Sequence, residues 1–374
     1  MGVLGWLDAG LRHLKKFSMR NTTEDGKIDC EINHMIHQYL FCATYILVLL
    51  IGVPTNLYSL YHAWQQTRAS NQLGIYLLNL TASDLLYLAS LPLWLQYFFQ
   101  DDNWTYKEWL CKLCGFLLYQ NIYISVGFLC CISIDRYLAI VYPLRSRRFR
   151  TMRAAMVTSA VIWLKELVVG TVFFQTKELS TDRLNHSICF EHYPIMPWER
   201  VINYYRFFVG FLFPLGILSV SCFLVLRVVS KSTGTQDDQK IRIKHLLTGT
   251  VVIFLVCFSP YHVILLLRTI LEKDCFFISS IFNYYHFSLM LTSFNCLADP
   301  VLYCFVSESS RRGVRQTLTT CTEFLTYRRR GNCGISSKSP SSKESGTSFI
   351  PLQSKIKEVG RIAENTITVT ASLN

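Results

Sequence analysis

The chain is predicted to be an all-α membrane protein with seven transmembrane helices, and three observations carry that prediction. Of its 374 residues, 51% are hydrophobic. The apolar residues fall into seven long blocks, at 39–61, 74–99, 113–141, 154–174, 202–229, 243–271 and 276–305. Each is long enough for the roughly 20 helical residues that cross a bilayer. Lysine and arginine gather in connecting segments on one side, which orients the bundle because positive loops stay cytoplasmic.

Taken in order, residues 1–38 are an extracellular N-terminus. Trp6 stands where a myristoylation signal needs Ser or Thr, and residues 1–18 lack the apolar run of a secretion signal, so the first span is the expected insertion signal. The transmembrane domain occupies 39–306. Polar residues inside the spans, Asp84, Asn121, Glu166, Arg206 and Asp299, are tolerated in lipid only where they face the bundle interior or snorkel to its ends. Lys165 beside Glu166 is expected to point away from it, because adjacent helical residues diverge by about 100°. After the third span come Arg145, Arg147, Arg148, Arg150 and Arg153 with no acid, which places that loop inside and the N-terminus outside. Residues 307–320 form a short amphipathic eighth helix with Arg311, Arg312 and Arg315. Residues 321–374 are a cytoplasmic disordered tail, in which 331–348 hold seven serines and a threonine open to phosphorylation. Cys321, just after the amphipathic stretch, is a palmitoylation candidate. The sequons at Asn21, Asn103 and Asn185 lie outside and are expected to be glycosylated, whereas the one at Asn79 is buried in the second span and silent.

Several function classes are excluded. The net charge of +12 is mostly cytoplasmic, which favours anionic membrane lipid and an intracellular protein partner and leaves nucleic acid out. No HExxH, GxSxG or P-loop is present, so no catalytic residues, no enzyme activity and no cofactor are expected. The seventh span has no lysine for a retinal Schiff base, and no internal repeat points to a transporter. The outer stretch NHSICFEHYP sets His186 and His192 three residues on either side of Cys189. It leaves open a metal site, a Cys-His pair, a stapled loop or a proton sensor.

Asp135-Arg136-Tyr137 ends the third span, and NCLADPVLY, with Asn295, Asp299, Pro300 and Tyr303, lies near the end of the seventh. With Asn56, Asp84, Trp163, Pro214 and Pro260, one in each remaining span, these resemble the class A, rhodopsin-like G-protein-coupled receptors. The runs INYYRFFVGFLFP and FSPYHV further resemble the proton-sensing group of that family. The resemblance implies activation by extracellular acid at the plasma membrane and coupling to a heterotrimeric G protein, mainly of the Gq class. It also implies receptor kinases and arrestin acting on the serine-rich tail. The disulfides it implies are Cys111 with Cys189 and Cys30 with Cys275. Asp135, Arg136, Tyr137 and Tyr303 would form the G-protein switch. Asp84, Asn121, Ser125, Asn295 and Asp299 resemble the sodium pocket of these receptors, where two carboxylates in place of one would trade a sodium ion for a proton. Two departures stand out. Asp101-Asp102 occupies a place where the group often carries a histidine, and residues 1–18 read as an extension ahead of Met19, the usual start.

Histidine changes charge near pH 6.5, within the range of extracellular acidification. Six of the nine lie outside or in outer halves of spans, His34, His37, His186, His192, His262 and His286, and they are the sensing candidates together with Glu166, Asp84 and Asp299. Moving a two-state switch from 1:99 to 99:1 takes about 5.5 kcal/mol, and each unit of pKa difference between states supplies about 1.4 kcal/mol. Several groups must therefore act together. A receptor for a peptide or lipid, or one modulated by zinc or copper at the outer histidines, is the alternative.

Overall fold

Seven helical spans surround a polar interior in a computed structural model that describes residues 38–175, 179–181, 186–189, 195–231, 237–272 and 275–306. The spans are α1 (Gln38–Arg68), α2 (Gln72–Phe99), α3 (Glu108–Val141), α4 (Met152–Gln175), α5 (Pro197–Lys231), α6 (Asp237–Ile253 and Ser259–Leu271, joined at Phe254–Phe258) and α7 (Cys275–Thr292 and Asn295–Val306). Six of the seven contain an unbroken stretch long and apolar enough to cross a membrane. The helices outrun the apolar blocks because their ends are polar: α3 starts at Glu108 rather than 113, and α6 at Asp237 rather than 243.

Proline shapes the interior spans. Its ring clashes with the carbonyl four residues back and leaves that carbonyl without its helical donor. In α5 and α6 the helix widens to π geometry just before the proline, at Phe208–Leu212 ahead of Pro214 and at Phe254–Phe258 ahead of Pro260. In α7 Pro300 frees the carbonyl of Cys296, and the side chain of Asn56 on α1 donates to it at 2.7 Å. The break between the two parts of α7, at Ser293–Phe294, is met by Tyr87 of α2, whose hydroxyl lies 2.6 Å from Ser293 Oγ. Asn79 on α2 accepts from the Trp163 indole of α4 at 2.9 Å, so this sequon is spent on packing. Such interhelical bonds contribute about 0.6–2 kcal/mol each in a bilayer. Between them, Ile122, Phe128, Phe254, Phe258 and Tyr261 fill a fully buried aromatic and aliphatic core.

On the outer side, β1 (Leu179–Thr181) pairs antiparallel with β2 (Ser187–Cys189), Leu179 opposite Cys189. Cys189 is bonded to Cys111 at the start of α3, closing a loop of 78 residues. In the chain-entropy model a loop of that length contributes roughly 4–5 kcal/mol. The turn after α2 carries Asp101 and Asp102 at φ of 54° and 56°, the left-handed region that short polar side chains tolerate best after glycine. Asp101 is exposed and Asp102 buried. Asn103 then accepts the N–H of Ser187 at 3.1 Å, and Trp104 donates its own to the Ser187 carbonyl at 2.7 Å, seating the first outer loop against β2.

Candidate functional site

In the middle of the bundle α2, α3 and α7 bring together Asp84, Asn121, Ser125, Asn295, Cys296 and Asp299. Asp84 is 0% exposed and Asp299 4%. Asn121 Nδ2 donates to Asp84 Oδ1 at 2.8 Å, Asn295 Nδ2 donates to Ser125 Oγ at 3.1 Å, and the Cys296 thiol lies 3.5 Å from Asp84 Oδ1. Asp84 Oδ2 and both oxygens of Asp299 accept no hydrogen bond among the described residues. A buried charge left without donors costs several kcal/mol.

Above it lies an outer cavity of about 110 Å³, walled by aromatic rings and by Glu199, Arg206, Arg268 and His286. His286 packs against Phe282 at 4.3 Å and Tyr285 at 5.6 Å between ring centroids. His262 sits elsewhere: it is 0% exposed, stacked on Phe211 at 4.5 Å, with Nδ1 2.8 Å from the Phe258 carbonyl, and it does not line the cavity. His186 is half-buried just before β2.

Glu166 on α4 is buried, and Lys165 Nζ reaches back to its Oε1 at 2.5 Å. The expected divergence of the two side chains is thus overridden by the length of the lysine arm. A small crevice beside the pair is bounded by Tyr123, Arg206 and Gly210. There a Cβ on Gly210 would stand 2.6 Å from the Tyr123 ring, so only glycine admits that close approach.

At the inner end Asp135 is 4% exposed and ringed by donors. Arg136 and Gln72 both bond it, and Arg150 gives Nε at 2.9 Å and Nη2 at 3.3 Å. Tyr137 stacks edge-on against Tyr142 at 5.8 Å. Arg136 is thereby held against Asp135 at the inner end of α3.

A family model described as 7 transmembrane receptor (rhodopsin family) matches residues 55–303, two thirds of the chain. The chain belongs to that family. Human G-protein coupled receptor 68 is 53% identical over 310 residues, covering 83% of this chain and 85% of its own length. The bovine (Bos taurus) protein of the same name is 54% identical over 314 residues, with 84% and 87% covered. Human G-protein coupled receptor 65 is 38% identical over 303 residues, with 78% and 90% covered. The chain is therefore a receptor and not an enzyme, a multi-pass protein of the plasma membrane whose partners are heterotrimeric G proteins.

Of the residues singled out in the receptor's sequence, His34, His37, His192, Cys30, Asn21, Asn185, Cys321 and the eighth helix lie outside the described residues, as do the side chains of Cys275 and Tyr303. No group of three or more His, Cys, Asp or Glu able to hold a metal ion occurs among the described residues. Sequence reasoning missed three things. Arg150 entered only as one of five loop charges, yet it bonds Asp135. Gln72 gave no signal. The Arg268 and Glu272 pair was legible as an i,i+4 pairing at the end of α6.

Proposed function

We propose that the receptor is switched on by extracellular acid and signals mainly through the Gq class. The observation that carries this reading is the donor-starved pair Asp84 and Asp299, buried together in the centre of the bundle. Uptake of a proton there removes a buried charge that the surrounding side chains do not compensate. A sodium ion held by Asp84, Asp299, Ser125 and Asn295, with Asn121 beside them, would compete for the same oxygens and hold the resting state. Glu166 and His286, together with the outer histidines His34, His37, His186 and His192, tune the response, whereas His262 is packed into the core. Its sign follows from linkage: acid activates only if these groups bind protons more tightly in the active state, and raising the pH through their titration range removes that bias.

The remaining assignments belong to the same proposal. Asp135, Arg136, Tyr137 and Tyr303 transmit the change to the G protein, and kinases and arrestin act on the serine-rich tail. Glycans sit on Asn21, Asn103 and Asn185, palmitate sits on Cys321, and a second disulfide joins Cys30 to Cys275. The test is inositol phosphate accumulation in cells bearing the receptor as outer pH falls from about 8 to about 6. A flat response with surface expression confirmed would sink the reading. A response abolished by a chelator at fixed pH would move it to metal sensing.

A further inference from the structure

We propose that Thr151, at the start of α4, is a phosphorylation site for a kinase that recognises arginine, and that its phosphate takes Arg150 away from Asp135. The inner loop between α3 and α4 holds Arg145, Arg147, Arg148, Arg150 and Arg153, and no acid stands between Asp135 and Glu166. Two hydroxyl groups lie among these arginines, on Ser146 and Thr151. The fold separates them. Ser146 is 2% exposed and its Oγ donates to the Leu138 carbonyl at 3.0 Å, so an enzyme reaches it only by taking the loop apart. Thr151 is exposed, stands just before the first residue of α4, and has Arg147, Arg148 and Arg153 exposed around it. Arginine stands three residues and one residue before it and two residues after it, a cluster that an acidic kinase groove complements. The first turn of a helix opens at small cost, which lets the segment extend into that groove.

In the transfer, the threonine hydroxyl attacks the terminal phosphorus of ATP. The bond from Oγ1 to phosphorus forms as the bond to the ADP oxygen breaks, and the hydroxyl proton passes to the kinase's base. The product suits its place in the fold. Thr151 Oγ1 accepts the Ala154 N–H at 3.2 Å, so this side chain already caps α4, where free N–H groups and the helix dipole stabilise a phosphate. Arg150 is the adjacent residue. It gives Asp135 Nε at 2.9 Å and Nη2 at 3.3 Å, and that carboxylate is also bonded by Gln72 and Arg136. A phosphate with about two negative charges and three acceptor oxygens is the stronger partner for a guanidinium. Its arrival leaves Asp135 with Gln72 and Arg136 alone. Phosphorylation thus strengthens the start of α4 and loosens the inner end of α3.

The test incubates the full receptor, in nanodiscs of zwitterionic lipid, with the catalytic domain of protein kinase C and magnesium ATP, and maps the phosphate by mass spectrometry. Phosphate is expected on Thr151 and not on Ser146. Arg148→Ala should slow its incorporation about tenfold or more, the loss expected when one charged hydrogen-bonding partner is removed. Hydrogen exchange then reads the consequence. Kinase treatment should speed exchange of the amides of 136–141 about fivefold, as one donor to Asp135 is lost, and slow those of 152–156. The Thr151→Ala receptor, treated alike, should show neither change. Phosphate absent from Thr151 while a basic control peptide is turned over, phosphate on Ser146 instead, unaltered exchange at the end of α3, or the same changes in Thr151→Ala overturns the proposal. Neither readout involves the response to acid, so a failure of the proton-sensing reading would leave this inference standing.

Discussion

The receptor buries carboxylates in two contrasting ways. Glu272, at the outer end of α6, is 0% exposed and saturated: Arg268 donates at 2.7 and 3.4 Å and the Ile195 N–H at 2.9 Å, while Arg200 takes its backbone carbonyl at 3.1 Å. Asp84 and Asp299 are as deeply buried, yet three of their four oxygens have no donor among the described residues. Burial is common to both, and what separates them is the supply of donors to their oxygens.

The sharpest break of this comparison is Glu272→Gln. It leaves the Arg268 guanidinium buried without its counter-charge, which costs about 3–5 kcal/mol when one partner of a buried pair is removed. The purified variant should melt well below the wild type and reach the surface poorly. An unchanged melting temperature would show that Glu272 is no clasp.

Asp299→Asn and Asp84→Asn come next. An amide mimics the protonated acid, so each variant should signal more than the wild type at pH 8 and respond less to acid. A one-unit difference in proton affinity between states supplies about 1.4 kcal/mol, one quarter of the roughly 5.5 kcal/mol that the full switch requires. Inositol phosphate curves decide it: a wild-type midpoint and wild-type signal at pH 8 in both variants would remove the pair from the mechanism.

Asp135 extends the comparison to the inner end, as a saturated acid fed by Gln72, Arg136 and Arg150. Arg150→Ala removes one of three donors, a loss of about 1 kcal/mol for a single hydrogen-bonding partner. Signalling without acid should rise a few-fold. Lower signalling would assign Arg150 to the G-protein contact instead of the lock.

These cases mark how far the sequence reaches. Spans, orientation and the identity of Asp84, Asp299 and Asp135 are legible because lipid forbids unpaired polar groups, so every polar residue inside a span advertises itself. What each of them touches is not legible. Gln72 and Arg150 come from helix ends and loops where polar residues are ordinary, and nothing in their spacing ties them to Asp135. The reach of Lys165 to Glu166 depends on a rotamer, which a projection of helix faces does not contain. His262 looks like an outer sensor two residues after Pro260, but the face it occupies is set by the widened turn at Phe254–Phe258, which rotates everything that follows.

The smallest effects separate two of the described histidines, His286 and His262. His286 lines the outer cavity, where a positive charge gained in acid meets aromatic rings and the carboxylate of Glu199 on the facing wall. His262 is enclosed by Phe211, Tyr123 and Tyr261 rings with its Nδ1 on a backbone carbonyl, and charging it would place a cation in an apolar core. His286→Phe should therefore move the activation midpoint to lower pH by a few tenths of a unit, on the order of 0.5 kcal/mol at about 1.4 kcal/mol per unit, because one group that favours the active state on protonation is gone. His262→Phe should leave the midpoint in place and act, if at all, on melting temperature. The reverse pattern, a shift in the His262 variant alone, would mean that the core opens to water on activation, and the line drawn here between donor-fed and donor-starved sites would have to include the space between α5 and α6.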